Sequence, residues 1–236
     1  VVVGEVEVHA ARFRLGGAFA EGIYTGQSVY SSVVGSPPSS PALRERYERR
    51  RADVVAAAAR VFAQRGYHAT SIDDLIEATG LTRGGLYHYT DSKQALLFAI
   101  FDELMEPLLA RAQEILARPG TPEQHLRALT RAWVAHIATH LDHMVVFNQE
   151  RGTLERDPRW QHLRAARRDF ERLLAGVLRR GQQDGSFTMA DPQLTLLTLL
   201  GMVNYTPQWF SPRGRLRPEQ IADGYCDALL DGISSR

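Results

Sequence analysis

Apolar residues recur at helical spacing along nearly all of the chain from Leu43 onward. Val54, Ala58, Val61 and Phe62 make one stripe, which predicts a helix from about Leu43 to Gly66. Ile72, Leu75 and Ile76 fall at i, i+3 and i+4 and predict a short helix from Ser71 to Thr79. Ser71 is placed to cap it, Asp73 and Asp74 suit its first turn, and Gly80 suits a left-handed stop. Leu81 follows as a plug, and Thr82 caps a third helix through about His88 with Leu86 turned inward. Ser92 caps a fourth, to about Ala117, with Leu97, Ile100, Phe101, Leu104, Met105 and Leu108 on one face. Pro107 is expected to kink or break it, because it lacks the N–H that a helix interior uses.

The same periodicity continues through five more helices. They run from Pro122 to about Leu141, from Asp142 to about Arg151, from Arg156-Asp157-Pro158 to about Asp184, from Pro192, and from Pro218. The stretch LTLLTLLGMVNY is apolar nearly all round, so its helix needs two partners: its own core and a second subunit. The fold class is therefore all-α, with a three-helix unit at residues 43–95 and a second helical domain at 96–236. Residues 1–42 break the pattern. VVVGEVEVH alternates briefly, and the Gly-, Ser- and Pro-rich residues after it read as a flexible arm or linker.

The spacing of the second and third helices is that of a helix-turn-helix, whose second helix enters the DNA major groove. Thr82 and Arg83 stand at the end of that helix that reaches base edges. Arg pairs bidentately with guanine, and Thr serves any base. Gly84 and Gly85 are poor helix formers, and close approach to a phosphate backbone is one reason to keep them. Tyr87, His88 and Tyr89 offer donors to phosphate oxygens, and Lys93 stands beside a helix N-terminus, a site suited to anions.

Bulk charge adds little, since the net charge is +1. The distribution is more telling. RERYERRR at 44–51 holds five Arg against two Glu, so Arg49, Arg50 and Arg51 are candidates for phosphates or an adjacent minor groove; a solvated charge run is the plainer alternative. The single cysteine, Cys226, precludes an internal disulfide, and no run of about 18 apolar residues suggests a membrane span. A cytoplasmic protein without membrane or cofactor partners is expected.

Residues 49–97, from RRRADVVAAAARVFAQRGYHATSIDDLIEATG into LTRGGLYHYTDSKQALL, resemble the N-terminal domain of the TetR family of bacterial transcriptional regulators. Thr90 stands where that family usually has a large aromatic. The resemblance implies a homodimer on a palindromic double-stranded operator, released by a small molecule; the apolar character of helix eight makes the last two helices the expected dimer interface. It implies DNA contacts at Ser71, Thr82, Arg83, Gly84, Gly85, Tyr87, His88 and Lys93.

In the second domain, Phe101, Met105, Leu108, Trp133, Ile137, Met144, Phe147 and Phe170 are candidates to line an effector pocket, although each also suits a plain core position. His136 and His140 follow Trp133 at i+3 and i+7 and share its face. Their spacing permits a metal, with Glu150 as a conceivable third ligand. The absence of matched Cys or carboxylate spacing favours pocket or surface histidines and no metal. Residues 145–174 and 204–225 resemble the C-terminal domains of TetR regulators that sense acyl-coenzyme A thioesters in fatty-acid and steroid degradation. Arg164, Arg167 and Arg168 beside the apolar stripe suit the phosphates of such a ligand; pairing with Asp169, Glu171 and Glu155 on a solvated surface is the plainer alternative. The function expected is a ligand-responsive repressor. The alternatives are a multidrug-type sensor with a promiscuous apolar pocket, or an acyl-thioester enzyme, for which no nucleophile elbow or acid–base pair is evident.

Overall fold

The computed structural model describes residues 40–156 and 158–233. Residues 1–39 of the expected arm lie outside the described residues, and residues 41–42 already belong to the first helix. Among the described residues there are nine α-helices and no strand. They are α1 (Pro41–Arg65), α2 (Ile72–Thr79), α3 (Arg83–Tyr87), α4 (Lys93–Leu116), α5 (Pro122–Thr139), α6 (Leu141–Arg156), α7 (Gln161–Gln183), α8 (Pro192–Tyr205) and α9 (Pro218–Ile233).

Local signals fix most ends. Ser71 accepts from the Asp74 N–H at 3.1 Å, while the Asp74 carboxylate accepts from the Ser71 N–H at 2.7 Å, a complete capping box. That backbone bond, more than the nearby Arg65, holds the Asp74 carboxyl below the usual carboxylate range. Gly80 ends α2 at φ 64°, where a side chain would be strained. Thr82, Ser92 and Asp191 cap α3, α4 and α8, and Thr121 and Gln124 form a second capping box on α5.

Two expectations change. α4 runs unbroken through Pro107. The proline removes the donor for the Glu103 carbonyl but leaves the helix intact, because Leu104, Met105 and Leu108 are buried around it and hold both halves in the core. Helix six does not end near Arg151 but reaches Arg156, and a 3-10 turn at Pro158–Trp160 separates it from α7. Trp160 is fully buried there, its ring 4.0 Å from Phe98 and 5.0 Å from Phe101, which fastens the start of α7 to α4.

α1 packs on α2, α4 and α6; α4 packs on α5, α6 and α7; α5 lies along α9. The α5–α9 seam adds Arg131 to Asp223 at 2.6 Å and Arg127 to Asp227 at 2.7 Å. Cys226 is buried in the same seam and burial raises its thiol pKa, so it is a core residue. α8 buries Leu196, Leu199 and Val203 but leaves Leu194, Leu197 and Tyr205 exposed, with Trp209 exposed just beyond. The helix that reads as apolar all round thus has one face without a partner among the described residues.

Candidate DNA-reading surface and effector pocket

α2 and α3 bury one side chain each, Leu75 and Leu86, and turn the rest of α3 outward. Thr82, Arg83, Gly84, Tyr87 and His88 are exposed; Gly85 and Tyr89 are half-buried. Arg83 donates to Asp73 at 2.6 Å, an exposed pair. Exposed pairs contribute about 0–1 kcal/mol, so Asp73 parks the guanidinium without committing it. The two glycines differ. A Cβ on Gly85 would lie 3.2 Å from the Thr82 hydroxyl that caps α3, whereas one on Gly84 would meet nothing within 4 Å. Gly85 has a reason within the protein, and Gly84 has none there.

Lys93 is placed differently from expectation. Its ammonium donates to the carbonyls of Tyr67 at 2.9 Å and Thr70 at 2.8 Å, with that of His68 at 3.4 Å, and sits 4.7 Å from the Tyr67 ring centre. The turn between α1 and α2 leaves these carbonyls outside any helix, and Lys93 satisfies them. Thr90 is buried, its hydroxyl donating to the Ser92 carbonyl at 3.0 Å. Tyr47 of α1 was not singled out by its pattern. It stacks on Tyr89, meets His88 edge-on and donates its hydroxyl to the His88 carbonyl at 3.3 Å. Arg50 lies 3.7 Å from Asp53, and Arg51 is half-buried, its charge acting on Asp102 of α4.

Behind this surface lies a pocket of about 630 Å³, counting solvent at its mouth. Its walls come from α4 (Leu104, Met105, Leu108), α5 (Trp133, His136, Ile137), α6 (Met144, Phe147, Asn148, Arg151), α7 (Arg167, Phe170, Glu171) and α8 (Leu200, Asn204). Phe101, His140, Arg164 and Arg168 stand outside the lining. Phe101 is buried one layer deeper, edge-on to Phe147. His140 ends α5, and its Nδ1 lies 2.9 Å from the His136 carbonyl. Arg168 points to solvent, one position round α7 from Arg167. Arg167 donates to Glu171 at 2.8 Å. That pair is the solvated-surface alternative for the helix-seven arginines, whereas Asn148, Arg151 and Asn204 were not anticipated, because apolar periodicity marks the inward face and not the polar residues at its rim.

His136 is the unusual polar wall residue. Its Nε2 is buried without a hydrogen-bond partner. Burial, then the adjacent His140 ring at 4.2 Å, push its pKa down to about 4, opposed by the Leu104 and Glu103 carbonyls. The Glu103 carbonyl is the one that Pro107 leaves without its helical donor. His143 pairs with Glu103 at 3.1 Å and His162 with Asp102 at 3.0 Å, both across to α4. Burial raises the Asp102 pKa against the pull of His162. No group of three His, Cys, Asp or Glu among the described residues is arranged to hold a metal ion, and no described helix is long and apolar enough to cross a membrane.

The chain is similar to known proteins in sequence and in fold. The model of bacterial regulatory proteins of the tetR family matches residues 54–100, and a tetracyclin repressor-like C-terminal domain matches residues 119–233. The HTH-type transcriptional repressor KstR2 of Rhodococcus jostii (strain RHA1) is 31% identical over 188 residues, which is 79% of this chain and 92% of the relative. The solved structure of the ketosteroid transcriptional regulator KstR2 of Mycobacterium tuberculosis has a TM-score of 0.75 at 26% identity, covering 79% of this chain and 96% of that one. AibR, solved in complex with isovaleryl coenzyme A and operator DNA, has a TM-score of 0.67 at 29% identity, covering 77% of this chain and 98% of its own. A capped helix-turn-helix joined by one continuous helix to a walled pocket, with a relative matched over nearly its whole length, places the chain in the TetR family of bacterial transcriptional regulators.

Proposed function

We propose that this chain is a homodimeric repressor that binds a palindromic operator through α3 and leaves it when an acyl-coenzyme A thioester, or another hydrophobe with an anionic end, fills the pocket. The observation that carries this reading is the placement of α4. It starts at Lys93, directly after the recognition helix, and its body supplies Leu104, Met105 and Leu108 to the pocket wall. α6 is a second link: it lines the pocket, packs on α1, and brings buried Glu150 within 3.5 Å of His68 in the α1–α2 turn. A ligand that favours one setting of α4 and α6 shifts the population of one spacing between the two recognition helices.

In this reading Thr82 and Arg83 read bases, while Ser71, Gly84, Gly85, Tyr87, His88 and Tyr89 approach the backbone. Arg151 and Arg167 at the rim take the anionic end, a role the sequence suggested for Arg164, Arg167 and Arg168, and the acyl group lies among Met105, Trp133, Phe147 and Phe170. The unpaired apolar face of α8 meets its copy in the dimer. A promiscuous sensor of neutral hydrophobes shares every part of this scheme but the arginines.

One experiment tests the scheme. Acyl-coenzyme A thioesters and matched neutral hydrophobes are screened by thermal shift, and each hit is added to the protein on operator at fixed salt. A thioester should raise the melting temperature and release the DNA. A ligand that binds tightly yet leaves operator affinity unchanged would sink the switch; equal binding of neutral hydrophobes would sink the thioester.

A further inference from the structure

We infer that the first turns of α1 form a second DNA-backbone clamp, in which Arg44 and Arg50 engage phosphates beside the recognition helix and Tyr47 is the positioning residue that holds them there. The inference rests on the operator-binding reading above.

These turns precede the segment that matches the family's DNA-binding model, which begins at residue 54. Every residue from Pro41 to Arg50 is exposed except Tyr47. A helix end without a core face frays unless something holds it. Here the Tyr47 ring stacks on Tyr89 at 5.3 Å between centres and 29° between planes, and its hydroxyl donates to the carbonyl of His88 at 3.3 Å. Burial raises the pKa of that hydroxyl above the ordinary tyrosine value. One aromatic residue thus docks an otherwise solvated helix end against the C-terminal end of the recognition helix.

The arginines follow from helix geometry. Arg44 and Arg50, three residues before and after Tyr47, lie about 60° to either side of it and about 9 Å apart along the axis. They straddle the line along which α1 meets the end of α3. Arg46 and Arg49 fall on other faces, Arg49 paired with Glu45 at 3.5 Å. The tie of Arg50 to Asp53, 3.7 Å and exposed, is too weak to hold the guanidinium from a phosphate. A charge run that merely solvates a helix has no need of a buried tyrosine at its centre.

The test measures anisotropy of two 30-bp duplexes over a range of salt: one recovered by the wild-type protein from a random library, the other of random sequence. R44Q and R50Q should each weaken binding several-fold on both duplexes and each lower the slope of log affinity against log salt by about 0.9. R46Q and R49Q should leave the slope unchanged. Y47A should lose as much as the R44Q/R50Q double variant, and the triple variant little more. Unchanged slopes for R44Q and R50Q overturn the clamp while the operator reading stands. Equal slope changes in all four arginine variants reduce it to bulk charge, and additive losses on Y47A remove the positioning role. A wild-type protein that binds no duplex overturns both the clamp and the reading beneath it.

Discussion

The helix-turn-helix and the walled pocket differ in how much of their structure rests on large side chains in mutual contact. α2 and α3 fully bury only Leu75 and Leu86, with Ile72, Ile76 and Leu81 partly buried beside them, and their ends are set by caps and a glycine stop. The pocket is walled by large side chains in mutual contact, such as Phe170 edge-on to Trp133 at 5.0 Å. The exposed face of α3 can therefore change chemistry at little cost in stability, whereas the pocket walls cannot change without disturbing the core.

The strongest way to break that contrast is to truncate one residue on each side. Phe170→Ala removes a buried ring and should cost about 3–5 kcal/mol in urea unfolding. Arg83→Ala should leave stability within about 0.5 kcal/mol. It should still weaken operator binding by about 1–3 kcal/mol and relax preference at one base pair, read by anisotropy on duplexes with single base changes. If Arg83→Ala unfolded the protein, or Phe170→Ala were silent, the two regions would not differ as described.

The same contrast decides what the sequence reveals. Caps and glycine turns act over three or four residues, so Ser71, Gly80, Thr82 and Ser92 announce their helices directly. Met105, Trp133, His136, Ile137, Met144, Phe147 and Phe170 are legible as an inward stripe, and all seven line the pocket. Phe101 shares the stripe yet lies beneath the lining, because periodicity gives a direction and not a depth. Lys93 is the reverse case. Its place beside a helix N-terminus suggests an anion, but three carbonyls from residues more than twenty positions earlier claim it first. Tyr47 is equally silent in sequence, since its partners lie some forty residues away.

A smaller effect separates the regions by pH. The folded pKa of His136 is about 4, pushed down chiefly by burial, against about 6.5 for an unfolded chain. The unfolded state therefore binds the proton first as pH falls. The stability tied to the neutral ring is fully present above about pH 6.5 and is lost between there and about pH 4. Because the ring is partly open to the pocket, the loss is discounted to about 1–2 kcal/mol. His136→Gln should flatten the fall in urea midpoint over that window, while Arg83→Ala should not touch it. Parallel pH profiles for His136→Gln and the wild type would remove His136 as the cause.

The finest test lies within the recognition helix, where two adjacent glycines have different reasons to be there. A Cβ at Gly85 presses on the Thr82 cap, so Gly85→Ala should disturb the start of α3 whether or not DNA is present. At Gly84 the added methyl meets nothing within 4 Å, and alanine favours a helix over glycine by up to about 1 kcal/mol. Gly84→Ala should therefore unfold at slightly higher urea than the wild type. If its glycine keeps room for a phosphate backbone, the same variant should bind operator several-fold more weakly, a gain and a loss in one substitution. Stabilisation with operator affinity intact would mean that DNA does not approach α3 over Gly84, and the docking of the helix would have to turn toward the Tyr87 side.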